Sequence, residues 1–442
     1  MRPMLDFAAL AGKPLKPAVT LPGLEHPAFP AVLAAAMPGV RHSRTSWPDG
    51  QEEHSVVDPE TGSAIRILIT WNRDQQMART TVSEVGSRRL WDELVERLGE
   101  WERNSRCVPQ HWQRSSPEVL NGQRRVVVTG AAGFIGGHLV EHLVRAGVSV
   151  VGMDRRDPRQ DSAAAANLAG VLGSPNCAFV HSDLADCSLE SVLAEADAVV
   201  HLAGIPGVRS SWGKRFSEYA TCNLVATQRL MDAAVRLKVP RVVVASSSSV
   251  YGRTGGEPSS ETAVPAPLSP YAVSKLAAES VALAYAQRAD SRTSVAALRY
   301  FTVYGPRQRS DMLIGRVLEA ARGGPAVPVF GAGDQQRDFT FVSDAVEATV
   351  AAALSTSTGV FNVGGGHTAS IADIVHLAEE ITGRPIPSHT AEAPDGDVPS
   401  TRADLTRVRN ELGWTPQVDL SEGLRQHWDW ITRTAASAAE VC

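Results

Sequence analysis

The sequence predicts an α/β chain: a doubly wound parallel sheet, a smaller C-terminal subdomain and an extra N-terminal α+β segment. Three observations predict it. From Arg124 onward, short Val- and Ala-rich runs alternate with helical stretches, the pattern of repeated strand–helix–strand units. Those runs are continuously apolar, as parallel strands buried on both faces require. Finally, five of the nine tryptophans (Trp47, Trp71, Trp91, Trp101, Trp112) fall before residue 123, marking the front of the chain as a separate unit.

Within that front unit, residues 1–50 are rich in Pro and Ala and aperiodic, and read as a wrapping or loosely ordered arm. Stretches 55–57 and 64–71 read as strands around the turn Asp58-Pro59-Glu60-Thr61-Gly62. A strand at 80–85 precedes a helix over 87–103, capped by Ser87, with Leu90, Trp91, Leu94, Val95, Leu98 and Trp101 on its apolar face. The histidines His26, His42, His54 and His111 are scattered, and Cys107 with His111 lacks further ligands. A docking or oligomerisation module is the expectation for 1–122, with a second catalytic site as the alternative.

Composition bounds the function. The 442 residues are 43% hydrophobic, 21% charged and 6% aromatic, ordinary for a globular chain of two or three domains. A net charge of −5 with interspersed signs argues against nucleic acid or an anionic membrane as main partner. Cys107, Cys177, Cys187, Cys222 and Cys442 form no C-x-x-C pair, so neither a disulfide framework nor a structural zinc is expected; a reducing cytoplasm fits. Asp6 and Gly12-Lys13-Pro14 interrupt any signal-peptide core. No apolar run reaches the roughly 18 residues that span a bilayer.

Strands are expected at 125–129, 148–153, 178–181, 198–202, 241–246, 296–300 and 359–362. The first leads into Val126-Val127-Val128-Thr129-Gly130-Ala131-Ala132-Gly133-Phe134-Ile135-Gly136, a strand, a glycine turn and a helix start. Gly130 permits the turn, Gly133 lets a diphosphate approach the backbone, and Gly136 allows close helix–strand packing. Free N–H groups and the dipole at the helix start favour an anion there. Asp154, 18 residues after Gly136 at the end of the second strand, is placed to accept hydrogen bonds from the adenosine ribose and to repel a 2′-phosphate, which favours NAD over NADP. Arg155 and Arg156 offer the opposite, a guanidinium partner for a 2′-phosphate, or are a solvated pair.

The Gly-x-x-Gly-x-x-Gly spacing resembles the short-chain dehydrogenase/reductase superfamily, its extended branch in particular, and later motifs match in order over about 124–435. Asp183-Leu184 stands where that family contacts adenine, His201-Leu202-Ala203-Gly204 resembles the strand end lining the cofactor, and Asn223 the helix residue bracing the active site. Ser246-Ser247-Ser248-Ser249-Val250-Tyr251-Gly252 resembles the catalytic Ser/Thr strand, and Tyr271-Ala272-Val273-Ser274-Lys275 the Tyr-x-x-x-Lys signature. Leu298-Arg299-Tyr300-Phe301-Thr302-Val303-Tyr304-Gly305-Pro306-Arg307 and Gln336-Arg337-Asp338-Phe339 resemble substrate-side motifs of nucleotide-sugar enzymes. The resemblance implies a Rossmann-type NAD-binding fold over 124–305 with 338–366, and a nucleotide-sugar subdomain over 306–337 with 367–435. It implies cofactor contacts from Gly130, Gly133, Phe134, Ile135, Gly136, Asp154, Arg155, Asp183, Leu184, Leu202, Ala203, Gly204, Asn223, Tyr271, Lys275 and Tyr300. It also implies a homodimer.

Tyr271 and Lys275, four apart, share one helix face. A phenol is a poor base at neutral pH, with a pKa of about 10. A nearby ammonium and the positive nicotinamide are expected to favour phenolate and make proton abstraction practical. Family analogy gives Lys275 the nicotinamide ribose, and Ser247 the task of orienting the reacting hydroxyl. The expected reaction is hydride transfer at C4 of a UDP-sugar, rotation of the 4-keto intermediate, and return of the hydride to the opposite face.

Related 4,6-dehydratases and uronate decarboxylases carry acids just after the catalytic Ser/Thr, where this chain has Ser248-Ser249. Epimerisation is therefore favoured, and two hydroxyls suit a substrate carboxylate. Thr302, where many relatives have Asn, resembles UDP-uronate 4-epimerases. So do Gly207-Val208-Arg209-Ser210, Pro306-Arg307-Gln308-Arg309 and Gly396-Asp397-Val398-Pro399. The expectation is interconversion of UDP-glucuronate and UDP-galacturonate, with Arg209, Ser248, Ser249, Thr302, Arg309 and Arg337 contacting substrate. Arg309 would steer the sugar ring or its carboxylate, and Arg337 would clamp the diphosphate. The alternatives are small residues packed under the nicotinamide for the two serines and a surface ion pair for Arg309. For the whole protein they are a decarboxylase, a neutral-sugar epimerase or dehydratase, or an NAD-binding scaffold. The loop Ser210-Ser211-Trp212-Gly213-Lys214 is bulkier and more basic than the simplest uronate epimerases lead one to expect.

Overall fold

A computed structural model describes five strands between Lys16 and Val85, the helical residues Leu94 and Glu96, and residues 125–440 except 332, 393–395 and 397. The helix expected over 87–103 otherwise lies outside the described residues, as do most of the expected arm, the turn residues 59–62 and Asp397.

The front strands are β1 (Lys16–Pro17), β2 (Arg41–Ser46), β3 (Gln51–Asp58), β4 (Ser63–Asn72) and β5 (Met77–Val85). They form one antiparallel sheet in the order β1-β5-β4-β3-β2. Asp58 pairs with Ser63, closing the hairpin expected there. The arm expectation needs correction at β1 and β2. Arg41-His42-Ser43-Arg44-Thr45-Ser46 has no apolar alternation, yet it pairs with β3 from Arg41–Val57 to Ser46–Glu52. An edge strand needs only backbone hydrogen bonds on one side, so a polar sequence suffices.

All seven strands expected after residue 124 are present: β6 (Arg125–Thr129), β7 (Ser149–Asp154), β8 (Cys177–His181), β9 (Ala198–His201), β10 (Arg241–Ser247), β11 (Ser294–Tyr300) and β15 (Gly359–Val363). They form one parallel sheet in the order β15-β11-β10-β9-β6-β7-β8. Residues alternate between two cores. Val126, Val128, Val150, Val200, Val243, Leu298 and Phe361 face the helices α1 (Phe134–Arg145) and α8 (Val342–Leu354). Val127, Val151, Val199, Val242, Val244 and Val295 face α5 (Ala226–Arg236) and α6 (Pro270–Ala286). Both faces are buried, which is why the runs are continuously apolar. The strand order reverses between β6 and β9, and ligands bind at the carboxyl ends of the strands beside such a reversal.

A second unit carries β12 (Thr302–Tyr304), β13 (Val327–Phe330), β14 (Gln336–Phe341), β16 (Thr368–Ser370) and β17 (Ser388–Ala391). Strand β14 lies between β12 and β16, and β13 pairs with β17. Around Tyr304, Phe339 and Phe341 its core takes Ile314 and Leu318 from the helix Leu313–Ala321, Ile374 from Ile371–Thr382 and Leu424 from Leu420–Glu440. Among the described residues, no helix is long and apolar enough to cross a membrane.

Candidate active site

The carboxyl ends of the parallel strands open into a cleft of about 1390 Å³ shared with the second unit. Its floor begins at the glycine turn after β6. Gly130 has a φ of 70°, a left-handed conformation that disfavours other residues. A Cβ there would lie 2.7 Å from the Ala203 amide nitrogen. At Gly136 a Cβ would stand 2.0 Å from the Gly130 carbonyl oxygen, so the first turn of α1 packs directly on the loop. The 12-residue α1 starts at Phe134, with Gly133 as its cap and no capping side chain. Its first N–H groups are left for an anion.

Asp154, buried at the end of β7, accepts from the Ala132 amide at 3.0 Å and the Arg156 amide at 2.9 Å. The Arg156 Nε lies 3.6 Å from the same carboxylate, and Arg155 donates to the Cys222 thiol sulfur. Thus Arg156 is paired with the acid itself. Asp183 accepts from the Ala185 amide, and Asp183, Leu184, Leu202, Ala203 and Gly204 line the same cleft.

Tyr271, Ser274, Lys275 and Glu279 all lie on α6, which starts cleanly because Pro270 occupies its first turn and the Ser269 hydroxyl accepts from the Ala272 amide. Tyr271 faces Ser247 at the end of β10, whose hydroxyl favours its phenolate. Ser247 also receives the Ser249 hydroxyl at 2.9 Å and the Ser249 amide at 3.2 Å. Ser249 is therefore oriented toward Ser247 in the same short turn as Ser248. A Cβ on Gly204 would stand 2.8 Å from the Asn223 Oδ1, so glycine there lets Asn223 approach the loop beside Lys275. Burial pushes the Lys275 ammonium down to about 8, opposed by the Glu279 carboxylate.

The expected lowering of the Tyr271 phenol is corrected for the protein groups alone. Burial raises it, and so does Tyr219; the Ser247 hydrogen bond and the Arg309 guanidinium lower it without prevailing. Desolvation of a phenolate outweighs one hydrogen bond and an exposed cation.

Asn223 braces this corner from below. Its Oδ1 accepts from the Ile205 amide at 2.7 Å, while its Nδ2 donates to the Ile205 carbonyl and to Ser274, which in turn donates to the Tyr271 carbonyl. It sits in a widened π-helical stretch, Ala220–Val225, a feature frequent at functional sites. The Tyr300 ring lines the cleft, but its hydroxyl is bonded to Thr349 on α8.

Arg209, Ser248, Ser249, Thr302, Arg309 and Arg337, read from the sequence as substrate contacts, all line the cleft. The Arg209 guanidinium lies over the Phe330 ring, 4.6 Å from its centre. Arg309 makes two bonds of 2.8 Å to Asp311, so part of its charge is already neutralised. Arg337 donates to the Gln336 and Pro399 carbonyls.

Three participants escaped the sequence reading. Glu279 pairs with Arg299 at 2.6 and 3.0 Å in a fully enclosed contact and accepts from Ser246 at 2.6 Å. Its spacing, one and two turns beyond Lys275 and Tyr271, was a usable signal. Tyr219 packs edge-on against Tyr271, ring centres 6.2 Å apart; only its place four residues before Asn223 hinted at a shared face. Phe330 belongs to a distant strand, and nothing local marked it.

A profile of the NAD dependent epimerase/dehydratase family matches residues 126–364. "Uncharacterized UDP-glucose epimerase YtcB" of Bacillus subtilis is 39% identical over 68% of this chain and 95% of its own length. "UDP-glucuronate 4-epimerase" of Thermodesulfobacterium geofontis is 32% identical over 69% of this chain and 95% of its own. The structure of UDP-glucuronic acid 4-epimerase from Bacillus cereus with UDP-glucuronic acid and NAD superposes with a TM-score of 0.67 at 38% identity, covering 70% of this chain and 99% of that one. MoeE5 with UDP-glucuronic acid and NAD gives 0.65 at 45% identity over 70% and 99%. On its matched residues and on these relatives, this chain belongs to the NAD-dependent epimerase/dehydratase family.

Proposed function

We propose that this chain is an NAD-dependent UDP-sugar 4-epimerase whose substrate pair is UDP-glucuronate and UDP-galacturonate. The observation that carries the reading is the facing Ser247–Tyr271 pair in the cleft with Lys275 one helical turn on, followed by Ser248 and Ser249 where an acid would serve elimination. The bare backbone of the Gly130–Gly136 turn and the Asp154 carboxylate beside it fit a dinucleotide. Its diphosphate would lie at the start of α1 and its adenosine ribose near Asp154. When bound, NAD supplies a hydride acceptor for the sugar carbon and a positive charge that favours phenolate.

The chain's own groups do the remaining work. Tyr271 takes the proton from the C4 hydroxyl at its phenolate oxygen and returns it after the 4-keto sugar has turned over. Ser247, facing Tyr271, orients the hydroxyl that reacts. Lys275 holds a cation one turn from the phenol. Arg209 and the hydroxyls of Ser248 and Thr302 present an anion-binding edge to the sugar carboxylate, and Arg337 faces the diphosphate.

Purified protein incubated with UDP-glucuronate is expected to yield UDP-galacturonate, detected by mass-coupled chromatography, with no net NADH. A Tyr271→Phe variant should be slower by about 10²–10⁴-fold, the usual contribution of a positioned acid–base group. Release of carbon dioxide with a pentose nucleotide would replace this reading by decarboxylation. A neutral sugar is the second reading. It is favoured by MoeE5, which is 45% identical and has also been solved with UDP-glucose and NAD; faster turnover of UDP-glucose than of UDP-glucuronate would establish it.

A further inference from the structure

Tyr219 is completely buried, yet its hydroxyl is surrounded by polar groups of one loop. It lies 3.2 Å from the Pro206 carbonyl, 3.1 Å from the Gly207 carbonyl and 2.6 Å from the Ser210 hydroxyl. The one phenol proton is shared by the two carbonyls, with the Ser210 hydroxyl as the third contact, so the buried oxygen is not left unpaired. Gly207 has a φ of 112°, and a Cβ there would stand 3.0 Å from the Ser210 oxygen. The turn therefore closes on the tyrosine without a side chain of its own. Four residues on, Asn223 binds both backbone groups of Ile205. The helix thus grips residues 205–210 at both ends. Arg209 lies within the gripped loop, with its guanidinium over Phe330 of β13 across the cleft. The opposite end of the connection is the ring contact of Tyr219 with Tyr271.

We propose that Tyr219 is a positioning residue. Its hydroxyl fixes the 205–210 loop so that Arg209, stacked on Phe330, roofs the sugar-binding part of the cleft, and its ring sets the Tyr271 ring for proton transfer. The proposal rests on the epimerase reading and deepens it, since it names the element that holds the anionic end of the substrate. Two functions are separable within one side chain. The hydroxyl acts on substrate binding through the loop; the ring acts on the reacting phenol.

The test is steady-state kinetics with the UDP-sugar that the wild type converts fastest. Tyr219→Phe keeps the ring and removes the clamp. KM should rise about tenfold, the effect of losing a net hydrogen bond or two, with a smaller change in kcat and the same bound NAD as wild type. Phe330→Leu removes the far support of Arg209 and should also raise KM. Because both act through Arg209, the double variant should raise KM by less than the product of the two single effects. A Tyr219→Phe enzyme with KM within about twofold of wild type, loss of NAD from it, or multiplicative effects in the double variant would overturn the proposal. If Tyr219→Phe does not fold, Ser210→Ala and Phe330→Leu carry the same comparison. A wild type that converts no UDP-sugar would instead overturn the epimerase reading.

Discussion

Replacing Glu279 by Gln tests the enclosed ion pair beneath the catalytic corner. The Glu279 and Arg299 side chains are 4% and 3% exposed, joined by two bonds, and Ser246 donates to the same carboxylate. Arg299 also lies over the Tyr251 ring at 4.7 Å, and its Nη1 has no hydrogen-bond partner. Gln fills the same volume but leaves the guanidinium without a counter-charge in a site that excludes water. Removing one partner of such a pair costs about 3–5 kcal/mol. At roughly 2–4 °C per kcal/mol in domains of this order, the melting temperature should fall by about 6–20 °C. Thermal denaturation followed by circular dichroism measures it, with urea midpoints as a second reading. The double variant Glu279→Leu with Arg299→Met should recover most of the loss, because an apolar pair of similar volume needs no counter-charge. A Glu279→Gln protein melting within about 2 °C of wild type would refute the argument, since the charge would then be compensated from elsewhere.

Two further outcomes follow from the same physics. Gly136→Ala forces a Cβ to 2.0 Å from the Gly130 carbonyl oxygen; the phosphate turn must shift, and the purified variant should retain less than about a tenth of the NAD of wild type by absorbance after acid release. Lys275 has a folded-state value of about 8, below its unfolded value of about 10.4. Between those values the unfolded chain binds more protons, so this residue makes stability rise with pH from about 8 to about 10 and leaves it flat below. Melting curves of wild type and Lys275→Met across that window should diverge accordingly; parallel curves would show that the ammonium is not desolvated.

Local physics wrote the nucleotide half into the sequence. Gly130, Gly133 and Gly136 announce their turn because only glycine tolerates the approach of Ala203 and of the loop's own carbonyl. The seven parallel strands are legible because burial on both faces demands uninterrupted apolar runs. Tyr271 and Lys275 declare their common face by a spacing of four. Strand β2 was not legible, because an edge strand is specified by its neighbour's backbone rather than by its own side chains.

The tertiary structure decided what no spacing encodes. It brought Phe330 of β13 beneath Arg209 and turned the Tyr300 hydroxyl onto Thr349. It also placed Arg307, at a φ of 67°, where its guanidinium reaches the Asn167 carbonyl, His138 and Glu141 beside the nucleotide turn. Even the direction in which the Tyr271 phenol shifts depends on how deeply its neighbours bury it. Periodicity specifies which face of an element is apolar; which charges and rings then meet depends on packing between residues far apart in the chain, and only the folded chain fixes that.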